Sequence, residues 1–178
     1  PDDLYLLLNE ADLYIRLSNN AEDDNLRSQY RQKFKEIMKL AVEKDPENGI
    51  LYYNLGIISS EQGESLDARS YFEKAIEYKP DYIDSYVAIV NIILQEQTKI
   101  IEEMDKIAMS NKRSDILKYD ALKDDLNSVW SSCIPYCEAA LEYAPNDLEV
   151  LKLLSQFYFQ KFCFYNPPIV HQIILDRA

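Results

Sequence analysis

The stretch GILYYNLGIISSEQGESLDARSYFEKAIEYKPDY, residues 49–82, decides the fold of this 178-residue chain. It contains two segments in which apolar and small residues recur every three or four positions, which places them on one face of a helix. They are Tyr52, Leu55, Gly56 and Ser59 in the first segment, and Ala68, Phe72, Ala75 and Ile76 in the second. We therefore predict two short amphipathic helices joined by a turn.

Glycine and proline mark where these two helices end. Gly63 lies between them, where a tight turn suits glycine. Pro80 ends the second helix because the residue before a proline is disfavoured in the helical region. Gly56 and Ala68 are small enough to let the two helices approach closely, with Phe72 filling the volume beside them. The stretch is thus predicted to form a tight helical pair.

This pattern resembles the tetratricopeptide repeat (TPR), a 34-residue helix–turn–helix unit. The positions that match the family signature are Leu55, Gly56, Ala68, Phe72, Ala75 and Pro80. Tyr52 stands where the family often has tryptophan, and Ser59 departs from the usual tyrosine. Since one such unit cannot bury its own apolar face, the resemblance implies neighbouring units.

Prolines that end helices locate the neighbouring units. The runs LAVEKDP, KAIEYKP and AALEYAP end at Pro46, Pro80 and Pro145, the first two 34 residues apart and the last two 65 apart. We predict a single TPR-like domain, residues 1–178, with units at about 4–48, 49–82, 83–147 and 148–178. The resemblance implies an all-α, right-handed superhelical stack of about eight antiparallel helices.

The first and fourth units are irregular. We expect helices over Leu4–Leu17 and from Asp23 or Asp24 to about Lys44, with Ser18–Asn20 ending the first. In the fourth unit we expect Asp147 to cap a helix. The residues expected to face inward there are Leu151, Leu154, Tyr158 and Phe162. A final short helix is predicted over Ile169–Ala178.

The third unit carries 31 extra residues. Its apolar periodicity predicts helices from Tyr82 to about Met109 and from Asp115 to about Tyr143, joined by a turn at 110–114. The insertion would thus lengthen each arm of a projecting hairpin by about 20 Å. Pro135 lies inside the return helix and predicts a kink, or alternatively a break near Ser131.

Composition excludes several classes of function. The formal net charge is −12, which disfavours nucleic acid and anionic membrane surfaces as partners. There is no run of 18 apolar residues, so we expect a soluble chain without membrane insertion. The lack of a signal peptide says little about the compartment, which stays unknown between cytoplasmic and exported. Both ends resemble boundaries within a longer protein.

The sequence contains no recognisable catalytic or metal site. Cys133 and Cys137 are four residues apart on one predicted helix face, which favours buried thiols over metal or redox use. His171 is the single histidine and has no second ligand at useful spacing. No phosphate-binding glycine loop or nucleophile motif is present. We expect no enzyme, no cofactor and no metal.

What remains is a surface that could bind a partner. In the TPR family the first helix of each unit lines a concave groove, and carrying those positions over gives a set of candidates. They are Tyr5, Leu8, Asp12, Tyr53, Asn54, Ile57, Asp84, Val87, Ala88, Asn91, Lys152, Leu153 and Gln156. Ordinary packing between repeats is the alternative role for each of them.

The candidate groove differs from that of TPR proteins that clamp a peptide carboxylate. Tyr53 and Asp84 occupy clamp positions, and only Asn54 and Lys152 are compatible with that role. We therefore expect an apolar or aromatic-bearing peptide and a non-enzymatic scaffold or adaptor function. The alternatives are a structural domain that self-associates, with a possible homodimer through its terminal helices or long hairpin, and a regulatory domain of a larger enzyme.

Overall fold

The computed structural model describes residues 3–165, and every regular element in that range is an α-helix. The helices are α1 (Leu4–Asn20), α2 (Asp24–Lys44), α3 (Gly49–Glu61), α4 (Ser65–Tyr78), α5 (Ile83–Ile107), α6 (Arg113–Tyr143) and α7 (Leu148–Tyr165). The chain forms two compact structural units, which differ from the four predicted repeats. The first unit ends at Ser85 and the second unit begins at Tyr86. The all-α prediction is confirmed. The predicted helix over 169–178 and His171 lie outside the described residues, and the superhelical arrangement of the stack stays a prediction.

Acidic and amide side chains begin four of the helices. Asp3, Asp23, Asn48 and Asp147 each accept a hydrogen bond from a backbone N–H in the first turn of the following helix. These bonds satisfy donors that have no partner within the helix. The predicted caps Asp23 and Asp147 are therefore confirmed.

Three turns before prolines repeat one backbone geometry. The residues preceding Pro46, Pro80 and Pro145 have φ of −138°, −140° and −132° and ψ of 76°, 75° and 73°. In each turn the N–H of that residue donates to the carbonyl oxygen of an alanine four residues earlier. These alanines, Ala41, Ala75 and Ala140, are all fully buried. The sequence periodicity thus corresponds to a repeated structure.

Close contact between α3 and α4 organises the first unit. A Cβ atom placed on Gly56 would lie 2.4 Å from Cε1 of Phe72, and one placed on Gly49 would lie 2.6 Å from Cβ of Lys79. Only glycine leaves room for these contacts. Gly63 ends the pair in the left-handed conformation, with φ of +78°. The predicted tight helical pair and its turn are confirmed.

The apolar faces of α1, α2 and α3 share one core in this unit. Its buried residues are Leu7, Ala11, Phe34, Ile37, Met38, Ala41, Leu51, Leu55 and Ile58. Helix α1 ends at Asn20, within the predicted ending segment 18–20 and three residues beyond the predicted last helical residue, Leu17. Ser18 is fully buried, and its hydroxyl accepts a hydrogen bond of 3.2 Å from Nε of Arg31 on α2. This contact gives a polar residue a place inside the helical packing.

In the second unit, α5 and α6 are long helices that contact each other, and the enlarged, projecting hairpin stays a prediction. Nε1 of Trp130 donates to Oε1 of Gln97 at 2.8 Å, and Nζ of Lys118 lies 3.0 Å from Oε2 of Glu103. The inward stripe of α6 is buried, as predicted: Leu122, Leu126, Val129, Cys133 and Cys137. The helix continues through Pro135, so the alternative of a break near Ser131 is wrong.

The predicted inward face of α7 is wrong. Val150 and Phe157 are buried, whereas Leu151, Tyr158 and Phe162 are exposed and Leu154 is half-buried. The reason is that α7 carries apolar side chains around most of its circumference, so periodicity alone does not identify one face. The hydroxyl of Tyr158 instead donates to Oε1 of Glu138 on α6 at 2.5 Å. Contact with α6 therefore sets the rotation of α7.

Candidate peptide-binding surface

Helix α3 presents Tyr53, Asn54 and Ile57 on the side that its core contacts leave open. The side chain of Asn48 fixes the start of the helix by accepting from the N–H of Ile50 at 3.1 Å. Leu55 and Ile58 anchor the opposite side in the core. Tyr53 and Asn54 are half-buried and Ile57 is exposed. Helical spacing puts Tyr53 and Ile57 one turn apart on the same face.

An aromatic cluster holds Tyr53 in place. Its ring packs against Phe72, with ring centroids 5.6 Å apart and ring planes at 52°. On another side it meets the ring of Tyr82 at 4.8 Å and 90°, an edge-to-face pair. Such pairs add about 0.5–1.5 kcal/mol beyond the area they bury. Because Phe72 is itself locked over Gly56, the repeat signature positions the half-buried ring of Tyr53.

Tyr82 joins this cluster from the turn between α4 and α5. Its N–H donates to the carbonyl of Lys79 at 3.1 Å, and its own carbonyl accepts from the N–H of Ser85 at 3.1 Å. Asp84 lies two residues further on, in the first turn of α5, and its carboxylate raises the pKa of the Tyr82 phenol. The backbone bonds fix the turn, which keeps this carboxylate near the rings.

The cluster has a negative electrostatic character. Burial raises the pKa of Tyr53, and the carboxylate of Asp84 and the neighbouring Tyr82 raise it further. Burial likewise raises the pKa of Tyr82, the carboxylate of Asp84 raises it further, and the positive charge of Lys79 lowers it by a smaller amount. Both phenols therefore stay neutral at physiological pH, and the one formal charge among these three side chains is the carboxylate. We call Tyr53, Asn54, Ile57, Tyr82 and Asp84 the α3 surface.

A comparison with protein families matches residues 38–70 to the tetratricopeptide repeat. This range contains the end of α2, the first proline turn, all of α3 and the start of α4, including the small residue Ala68. The chain therefore contains a tetratricopeptide repeat over residues 38–70. A search among curated proteins gave no match. The TPR family is generally a non-enzymatic scaffold fold that engages other proteins.

The structure places the other predicted groove residues in two kinds of environment. In the first unit, Tyr5 and Asp12 are exposed, and Asp12 pairs with Nε of Arg16 at 2.9 Å. Leu8 instead packs against the core. Tyr5, Leu8 and Asp12 therefore lie outside the aromatic cluster, whereas Tyr53 belongs to it and Asp84 lies near it.

In the second unit the predicted groove residues also divide between surface and interior. Asn91, Lys152 and Gln156 are exposed, and Ala88 is half-buried. Val87 and Leu153 line a small apolar space together with Val150 and Cys137. For Val87 and Leu153, these contacts favour the alternative role of packing inside the repeat.

Two features of the first unit were missed by sequence reasoning. Tyr82 was not among the candidates because it lies in a turn, and the family places groove residues on helices. Its position two residues after the helix-ending Pro80 was the available signal. Lys35 is buried on α2, where its Nζ contacts the carboxylate of Glu64 and, at 3.0 Å, Oε1 of Gln62. No sequence signal marked this pair, since its members are 29 residues apart.

Residues 3–165 contain no cluster of three or more His, Cys, Asp or Glu side chains arranged to hold a metal ion. In the same range, no helix combines the length and apolar character that crossing a bilayer requires. Burial raises the pKa of the Cys133 thiol to about 12 and that of Cys137 to about 11. These two cysteines are therefore protonated and unreactive in the folded protein.

Proposed function

We propose that this TPR protein is a non-enzymatic scaffold or adaptor that binds a peptide segment of another protein at the α3 surface. The observation that supports this most strongly is the aromatic cluster. Tyr53 and Tyr82 are held rigidly by packing and hydrogen bonds, yet both remain partly exposed. Rigid aromatic side chains with exposed area lose little entropy on binding and are enriched at interaction hot spots.

Asn54 and Ile57 complement the two rings. The amide of Asn54 has donors and an acceptor that suit the backbone of an extended peptide. Ile57 supplies apolar area one turn further along the helix. The surface thus combines anchoring rings, a polar contact to the main chain and an apolar shoulder, which is the composition of a small recognition patch.

A peptide screen tests this function. The full chain is used to select binders from a random dodecapeptide library, and the selected peptides are then measured by fluorescence anisotropy. We expect Tyr53→Leu to weaken binding by on the order of tenfold or more, as for a truncated hot-spot residue. Leu66→Ala is the matched control, because Leu66 is 86% exposed on α4 and distant from the cluster in sequence.

The result that would refute the proposal is equally specific. Equal affinity of the wild type and the Tyr53→Leu variant for every selected peptide would place binding elsewhere. Failure to select any peptide would remove the function altogether. Circular dichroism of each variant shows that a lost affinity reflects the surface and not unfolding.

A second candidate function is self-association through the outward face of α7. Its exposed apolar residues are Leu148, Leu151, Tyr158, Phe159 and Phe162. A contiguous apolar patch of this kind favours association. Light scattering over a concentration series tests this candidate. A wild-type dimer would support it if Phe159→Asp dissociates the dimer and the control Leu66→Asp leaves it intact. A monomer at all concentrations would exclude this candidate.

A further inference from the structure

We infer that the α3 surface recognises a positively charged side chain, lysine or arginine, in the partner peptide. This inference rests on the proposed function and adds the chemistry of the ligand. It replaces the expectation of a purely apolar or aromatic peptide, which was drawn from residue types without their arrangement. The arrangement of rings and carboxylate is what favours a cation.

The rings provide the first half of the site. The face of an aromatic ring carries negative charge density and attracts a cation within about 6 Å of its centre. Tyr53 and Tyr82 meet at 90°, so that the edge of one ring contacts the other and the pair does not stack face to face. Both residues are half-buried, which leaves part of each ring accessible to a ligand.

The carboxylate of Asp84 provides the second half. It is exposed and lies in the first turn of α5, two residues after Tyr82. A carboxylate has about four acceptor sites, which gives it capacity for a charged donor. The cation nearest in the chain, Lys79, pairs with Asp81 at 3.2 Å, and Asp84 has no ion-pair partner among residues 3–165. The chain's net charge of −12 also attracts a cationic partner from a distance.

A contact between a lysine and a tyrosine ring of α3 already exists within the protein. Nζ of Lys74 on α4 lies 5.2 Å from the centre of the ring of Tyr52, which is the residue before Tyr53. That ring also stacks on Tyr78, with centroids 5.5 Å apart. An aromatic pair that carries a lysine is therefore part of this unit's own packing. The Tyr53–Tyr82 pair offers comparable rings to a lysine from outside.

Ile57 completes the match to a long basic side chain. Lysine and arginine bury their methylene stems along apolar surface while the charged end stays in a polar environment. With the stem along Ile57, the charged end reaches the rings and Asp84, which lie toward the start of α3. A peptide carboxylate would instead face Asp84 and be repelled. A neutral aromatic residue would gain nothing from that charge.

Peptides with a single changed side chain test the inference. From the dodecapeptide selection, the tightest binder is synthesised as found and with its basic residues replaced, one at a time, by norleucine, which keeps the stem and removes the charge. We expect one replacement to weaken binding by on the order of tenfold. Asp84→Asn should weaken the parent peptide and reduce its advantage over the norleucine peptide, and raising the salt concentration should do the same.

The outcomes separate this inference from the function on which it rests. Selected peptides that depend on Tyr53 but contain no required basic residue, and that bind Asp84→Asn as well as wild type, would overturn the inference and leave peptide binding intact. Peptides that ignore Tyr53, or a selection without any binder, would overturn both. Asp67→Asn on α4 is the matched control, since it removes the same charge from an exposed site away from the rings.

Discussion

Replacing Gly56 with alanine tests how the repeat signature holds the first unit together. The new Cβ would lie 2.4, 2.6 and 2.8 Å from three atoms of the Phe72 ring. Carbon atoms pack at about 3.5–4.0 Å, so the ring would have to move by about 1 Å. Phe72 is almost fully buried and its ring contacts Tyr53, so it has no free volume to move into.

Two opposing effects determine the expected magnitude. Overpacking a core costs about 1–3 kcal/mol. Alanine gains about 1 kcal/mol over glycine inside a helix. Since the shortest contact is far below any normal approach, we expect the upper part of the cost, and thus a net destabilisation of about 1–2 kcal/mol. For a unit of this size that corresponds to a decrease in Tm of roughly 5–15 °C.

Urea unfolding followed by circular dichroism measures this effect. Ser70→Ala, at an exposed position of α4, is the control for replacement by alanine in a helix. Phe72→Leu should reduce the cost of Gly56→Ala when the two are combined, because the smaller side chain removes the close contact. The single tryptophan, Trp130, reports separately on the second unit. A midpoint for Gly56→Ala equal to or above that of the wild type would refute the reasoning.

Two further predictions concern titratable groups. The hydrogen bond from Lys35 lowers the pKa of Glu64 below its ordinary value of 4.5. The Lys35–Glu64 pair therefore stabilises the fold above pH 4.5, and this stabilisation is lost as the pH falls through the lowered pKa of Glu64. Glu64→Gln should lower Tm at pH 7 and make Tm decrease less steeply in acid. A variant with the same acid dependence of Tm as the wild type would contradict this. With a disulfide reagent at pH 8, we expect Cys163 to be the one thiol that reacts fast in the folded protein. Cys133 and Cys137 should react slowly until the protein unfolds, because burial keeps both thiols protonated. Fast reaction of all three thiols in the folded wild type, or of any thiol in the folded Cys163→Ser variant, would contradict this prediction.

Local sequence signals predicted α3, α4 and the turn between them well. The residues before Pro46 and Pro80 cannot continue a helix, and Gly63 permits a conformation that other residues adopt at a cost. These are properties of single residues and their neighbours, so the sequence states them directly. The rotation of α7 has no such local determinant. Which of its apolar sides is buried depends on where α6 lies.

The candidate site divides along the same line. Tyr53 and Asp84 could be placed from the family pattern because each lies in a helix whose register the signature fixes. Tyr82 could not, since its ring reaches the site only because the turn between α4 and α5 returns it to α3. The consequence reaches beyond this residue. A helix position by itself suggested an apolar ligand, whereas the second ring beside the carboxylate of Asp84 is the basis for proposing a cation. The ligand class is therefore a property of the turn as much as of the helix, and Tyr82→Leu, which removes the second ring and its hydroxyl, should reduce the preference for lysine over norleucine while leaving the core residues of α3 in place.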